Sequence, residues 1–167
     1  MTSSGPQPWL PVLFVLLLGS ACAPGPDGET QDAPPEDLPA QVARQLDAYL
    51  ADVATRDAEG LRSAYVPDER FAWIEDGAVA YRAVGDVLAG LAAFSPGTAI
   101  VTELEGLEVV PIGADGAHSW AQFRTTIGEG EGAFSFAGMM SMVWERDGER
   151  WRIVGGHTSS PRSPPGS

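Results

Sequence analysis

The stretch Pro39-Ala-Gln-Val-Ala-Arg-Gln-Leu-Asp-Ala-Tyr-Leu-Ala-Asp-Val-Ala-Thr-Arg-Asp-Ala-Glu-Gly-Leu-Arg-Ser-Ala-Tyr65 decides how this chain folds. Val42, Leu46, Tyr49, Leu50 and Val53 recur at the spacing of one buried helical face, which predicts an amphipathic helix. Pro39 suits its entrance and Arg56 its exit. Asp57 then reads as the N-cap of a short second helix, Ala58 to Tyr65, with Leu61 and Tyr65 on its apolar side. Pro67 stops it.

Downstream the period changes from helical to alternating. Phe71-Ala-Trp-Ile74 is a short strand, and Asp76-Gly77 signals a hairpin into Ala78–Tyr81. Asp86 to Phe94 predicts a third helix through Val87, Leu88, Leu91 and Phe94, ended by Pro96-Gly97. Four long strands follow: Ile100 to Ile112, Ala117 to Ile127, Phe134 to Glu145 and Arg150 to Ser159. Turns at Gly113–Gly116, Gly128–Gly132 and Asp147-Gly148 separate them. The expected fold is α+β, with the helices packed on one face of a curved antiparallel sheet.

Outside this span the composition changes. Residues 1–21 hold no charged side chain and carry the apolar run Val12 to Leu18, followed by Gly19-Ser-Ala21. That run is too short for a bilayer core of roughly 30 Å, and it fits a secretory signal peptide. Residues 22–38 form an acidic, Pro-rich linker and residues 161–167 a polar tail, neither with enough apolar surface to fold. One domain, 39–160, remains. A net charge of −13 argues against nucleic acid as a partner. Cys22 is the only cysteine, so the domain stands on its hydrophobic core without an internal disulfide.

Several motifs carry family information. They are Arg56-Asp57-Ala-Glu-Gly60-Leu61 between the first two helices, Tyr65-Val-Pro-Asp68 after them, Glu75-Asp-Gly77 at the hairpin, and Trp151-Arg-Ile-Val154 leading to His157-Thr-Ser159. In this order they resemble the SnoaL-like branch of the nuclear transport factor 2-like superfamily, from about Leu38 to Ser160. The resemblance implies a cone-shaped half-barrel wrapped around the long first helix, with a pocket at its open end. It leaves activity open, because such a scaffold serves enzymes and non-enzymes alike. Leu18-Gly-Ser-Ala-Cys22 is similar to the lipobox of bacterial lipoproteins, which implies lipidation of Cys22 and a cell-envelope location, secretion after cleavage near Ala21 being the alternative.

Laid against the ketosteroid isomerase branch, Tyr49 falls where the oxyanion-donating tyrosine stands, and Trp73 falls on the catalytic carboxylate. An indole takes no proton from carbon, so that chemistry is expected to be absent. Asp76 is committed to the turn, and Glu75 is displaced two residues along the strand, so neither is expected to replace the carboxylate. Scytalone dehydratase-like members use histidines, tyrosines and an aspartate around their pocket, which draws attention to His118 and His157. Alternation puts His118, Trp120, Gln122, Arg124 and Thr126 on one face of their strand, and Trp151, Ile153, Gly155, His157 and Ser159 on one face of theirs.

The expected ligand-binding residues are Tyr49, Trp73, Trp120, His157 and Ser159, around a small, partly apolar molecule. The rival reading is a lyase or isomerase, with His157 as base and Tyr49 as electrophilic donor. A third is a dimeric protein–protein module using the methionine-rich strand Phe134 to Trp144, whose two faces are both largely apolar. No cofactor and no metal are expected, since no cluster has ligand spacing. The membrane is a partner only through the lipid anchor.

Overall fold

The structure, a computed structural model, describes residues 37–161. The expected signal peptide, Cys22, the linker up to 36 and the tail from 162 lie outside the described residues. Nine α-helices and β-strands follow one another in the described chain, with a single 3-10 turn, Gly130–Gly132, before the fifth strand. They are α1 Leu38–Thr55, α2 Ala58–Ala64, β1 Ala72–Glu75, β2 Ala78–Tyr81, α3 Val84–Ala92, β3 Ile100–Pro111, β4 Gly116–Ile127, β5 Phe134–Asp147 and β6 Arg150–Ser159.

The first helix ends as its sequence dictates. Arg56 adopts left-handed geometry (φ 56°), and the Asp57 N–H closes back on the Asp52 carbonyl at 2.9 Å. Asp57 then caps α2, its carboxylate accepting from the Glu59 N–H at 3.0 Å. The third helix starts two residues before the expected Asp86, because the Asp86 carboxylate accepts from the Arg82 and Ala83 N–H groups, both at 3.1 Å. That satisfies donors upstream of the helix and draws its first turn back to Val84.

Six strands form one sheet in the order β2-β1-β6-β5-β4-β3. All neighbours are antiparallel except β1 and β6, which run parallel. The sequence predicted a wholly antiparallel sheet. The parallel pair arises because the chain leaving α2 already lies along β6: Tyr65 forms a parallel bridge with Ile153, and the Val66 N–H donates to the Ile153 carbonyl at 3.1 Å. The β1–β2 hairpin is thereby added to the sheet beyond β6. Asp76 (φ 48°) and Gly77 (φ 90°) make its turn, both left-handed. Asp76 is also bound to β6 and its exit, its N–H donating to the Thr158 carbonyl at 3.0 Å and its carboxylate accepting from the Ser160 N–H at 2.7 Å.

The core lies between α1 and the inner face of the sheet. Leu38, Val42, Leu46 and Tyr49 form the buried stripe of α1, against Met140, Met142 and Trp144 of β5 and Trp151 and Ile153 of β6. Each such side chain contributes about 1.5–3 kcal/mol on burial. The Trp144 indole N–H, fully buried, donates to Ser119 Oγ at 2.8 Å and so carries no desolvation penalty.

Alternation along β4 holds as predicted, with Ala117, Ser119, Ala121 and Phe123 buried and His118, Trp120, Gln122 and Arg124 on the outer face. Along β6 it does not. Ile153 pairs with Trp144 and Gly155 with Val143, so Val154 is an extra residue opposite that step. Beyond this bulge the two faces of β6 exchange. Trp151 and Ile153 point into the core, but so do Gly156 and Thr158, while His157 turns outward.

Candidate cone-cavity site

A cavity of about 390 Å³ opens at the end of the cone where α1 and α3 diverge from the sheet. Leu50 and Val53 of α1, Val87 and Leu91 of α3, and Phe123 and Met140 of the sheet give it a mainly apolar wall. Tyr49, Tyr65, Tyr81 and Glu75 interrupt that wall with polar atoms.

These four groups differ in character. Tyr65 Oη donates to Tyr49 Oη at 2.9 Å, and the two rings meet edge to face with centroids 5.7 Å apart. Burial pushes the Tyr49 hydroxyl up to about 12, although the Tyr65 bond pulls it down in part. The Tyr65 hydroxyl is pushed up still more strongly, by burial and then by Tyr49. Both therefore stay neutral at physiological pH. With its oxygen accepting from Tyr65, Tyr49 keeps its own O–H free to donate to a guest, a donor strengthened by the bond behind it.

Glu75 stands at the mouth, partly open to solvent. Burial, then the neighbouring Asp76, raises its carboxyl above the usual range. Tyr81 is raised as well, by burial and then by the Glu75 charge. The cavity thus offers a neutral donor at depth and a titratable acceptor at its rim.

Of the residues expected from the sequence, the structure brings Tyr49 and Trp73 together in this cavity and leaves the others outside it. Trp120 is on the outer face of β4, beside His118 with ring centroids 5.2 Å apart. His157 is on the outer face too, paired with Ile74 on one side and Ser141 on the other. Ser159 borders a different hollow of about 750 Å³, with Gln122, Arg124 and Met139. The expected convergence of His157 with Tyr49 is therefore corrected. The bulge at Val154 moves the histidine to the far side of the sheet, and Thr158 faces the cavity in its place.

Glu75 is the residue that sequence reasoning set aside. The signal was available: Trp73 and Glu75 are two apart on one strand, so a buried Trp73 puts Glu75 on the same face. Trp73 owes its position to Gly156, where a Cβ would stand 2.2 Å from ring atom Cζ3. Among the described residues no group of three or more His, Cys, Asp or Glu is placed to hold a metal ion, and no helix is long and apolar enough to cross a membrane.

A SnoaL-like domain matches residues 42–163, and the chain belongs to that family. Solved structures of the nuclear transport factor 2-like superfamily share its fold. A superfamily protein from Salmonella enterica serovar Typhimurium aligns with a TM-score of 0.62 at 16% identity, covering 74% of this chain and 91% of that one. A protein of unknown function in nutrient uptake from Rhodospirillum rubrum gives 0.60 at 21% identity, over 72% of this chain and 98% of that one. A protein of the nuclear transport factor 2-like family from Streptomyces avermitilis gives 0.63 at 20% identity, over 74% and 97%. At such identities the likeness is one of fold. A search of the curated proteins finds no match.

Proposed function

We propose that the domain binds a small, largely apolar molecule in the cone cavity, oriented by the Tyr49 hydroxyl donating to an acceptor oxygen of the guest and by a donor group of the guest facing the Glu75 carboxylate. The observation that carries this reading is the 390 Å³ apolar hollow broken by a buried Tyr49–Tyr65 hydroxyl pair and a carboxylate at its mouth. A few fixed polar groups in an apolar concavity are the usual makeup of a small-molecule site. A thermal-shift and native mass-spectrometry screen of apolar carbonyl and hydroxyl compounds tests it. Hits should lose about tenfold in affinity in Tyr49→Phe. A screen without hits, or hits that tolerate both Tyr49→Phe and Glu75→Gln, would count against it.

A lyase or isomerase is the second reading, and the raised Glu75 carboxyl favours it. Glu75, rather than His157, is then the base, and Tyr49 stabilises charge on the substrate oxygen. Turnover that survives Glu75→Gln but not His157→Ala would reject this assignment.

We also assign the outer sheet face to a second copy of the chain. Ile74, Val110, Met139 and Val143 are exposed there around Trp120. The four long strands β3 to β6 run about 33–48 Å and together are about 19 Å wide, close to the roughly 800 Å² per partner of a stable dimer. Trp120, Gln122, Met139, Ser141 and Val143 fill the centre of this face, while Glu103, Glu105 and Glu108 stand along its β3 edge, so two copies of an acidic chain that meet over β5 keep those carboxylates at the rim in water. Val143→Asp should shift the mass in solution from dimer to monomer; a monomeric parent chain would overturn the assignment. Export and tethering through an acylated Cys22 complete the proposal. Cys22→Ala should release the protein from the membrane fraction.

A further inference from the structure

A second cleft, of about 440 Å³, lies near the opposite end of α1 and shares no residue with the cone cavity. Gln41, Arg44 and Gln45 border it from the helix, and Arg146, Glu149 and Trp151 from the β5–β6 hairpin. The three helical residues are three and four apart, so they share one face. Eight residues separate Gln41 from Tyr49, about 12 Å along the axis.

Arg146 is held in a fixed pose. Its Nη2 donates to Gln41 Oε1 at 2.8 Å, and the Trp151 indole N–H donates to the same oxygen at 3.2 Å. The guanidinium carbon sits 5.0 Å from the centroid of the Trp151 ring, a cation–π contact. Yet Arg146 has no carboxylate partner. The ion pairs among the described residues involve Arg70 and Arg152, not Arg44 or Arg146, and Arg146 Nε is buried without a hydrogen-bond partner. In a chain with 23 acidic side chains and 10 basic ones, two unpaired guanidiniums on one cleft are a departure from the general surface.

We propose that this cleft binds an oxyanion, a carboxylate or phosphoryl group of a small molecule, between Arg44 and Arg146. The fixed guanidinium matches the planar, two-pronged geometry that such groups present, and its pose is set before the ligand arrives. Glu149 adds an acceptor at the rim. It suits an anion that also carries a hydroxyl or ammonium group, and it repels an extended polyanion.

The full-length chain, titrated at constant ionic strength with glycolate, glycine and inorganic phosphate in separate arms, tests the site. The readout is the Trp151 indole N–H resonance, with the Gln41 side-chain amide as a second reporter. A saturable shift in at least one arm, weakened about tenfold or more by Arg44→Gln, supports the proposal. Arg44 is exposed and makes no hydrogen bond through its side chain among the described residues, so that variant should keep the parent melting temperature. Arg146→Gln should abolish the shift. Arms that show only linear, non-saturating drift, or a saturable shift unchanged in Arg44→Gln, would overturn it. If the phosphate and carboxylate arms both saturate, competition between them should be complete; independent binding would also refute a single shared site.

Discussion

Gly156→Ala is the sharpest test of how β6 is turned. An ideal Cβ at Gly156 would stand 2.2, 2.5 and 2.7 Å from Cζ3, Cε3 and Cη2 of Trp73. Carbon atoms in contact rest at about 3.5–4.0 Å, so the indole must retreat by more than 1 Å. Trp73 is only 6% exposed, and its ring lines the cone cavity. The ring should swing into that hollow and shrink it. Overpacking of this kind costs about 1–3 kcal/mol, which in a domain of this size lowers Tm by roughly 3–12 °C. Thermal unfolding followed by circular dichroism measures the loss, and a cavity ligand should bind more weakly in parallel. Trp73→Leu removes the obstacle, so the double variant should recover at least about 1 kcal/mol relative to the sum of the single ones. An unchanged Tm in Gly156→Ala, or strict additivity in the cycle, would mean that Gly156 faces outward and His157 inward.

Four further outcomes follow from the cavity. Tyr65→Phe removes the donor behind Tyr49, so the Tyr49 hydroxyl should become less acidic than about 12 and ligands should bind about fivefold more weakly, read by spectrophotometric phenol titration and calorimetry. Because folding raises the Tyr49 pKa from 10.0 to about 12, the folded state holds that proton more tightly, and stability should fall as pH rises through this window; Tyr49→Phe should flatten the slope of Tm against pH there. Glu75 is raised too, so its contribution is present at low pH and fades as pH rises through its folded-state titration. Glu75→Gln should remove that component, while an unchanged Tm–pH profile near the acid limb would contradict the placement of this carboxylate. Trp120→Ala and His157→Ala, on the other face of the sheet, should leave cavity affinity within about twofold in a direct binding assay.

The sequence made the fold legible where one local rule governed each element. Val42, Leu46 and Tyr49 declared a helical stripe, Asp57 a cap, and Asp76-Gly77 a hairpin, and each rule agrees with the tertiary environment found. The parallel β1–β6 pairing was not legible, because no local pattern encodes which edge a short hairpin will join. Tyr49 was readable as a cavity residue because it continues the apolar stripe of α1, and Trp73 because it is the bulky apolar residue of its short strand. Trp120 was misplaced for a different reason: the residues that share its face were read correctly, but nothing in an alternating strand says which face looks into the cone.

His157 and Glu75 share one physical cause. A single unpaired residue, Val154, reverses the parity of everything after it on β6. Strict alternation carried inward from Trp151 and Ile153 therefore chose His157, when Gly156 and Thr158 hold the inward places. Parallel pairing then passes this correction to β1, where Trp73 lies beside Gly156 and Glu75 beside Thr158. The glycine and the tryptophan are thus one device: without a side chain at 156 the indole lies against β6, and with the indole there the strand is held in the phase that points Glu75 at the Tyr49–Tyr65 pair. A substitution that moved the bulge by one residue would exchange Thr158 for His157 at the cavity wall, and the chemistry available to a bound molecule would change with it.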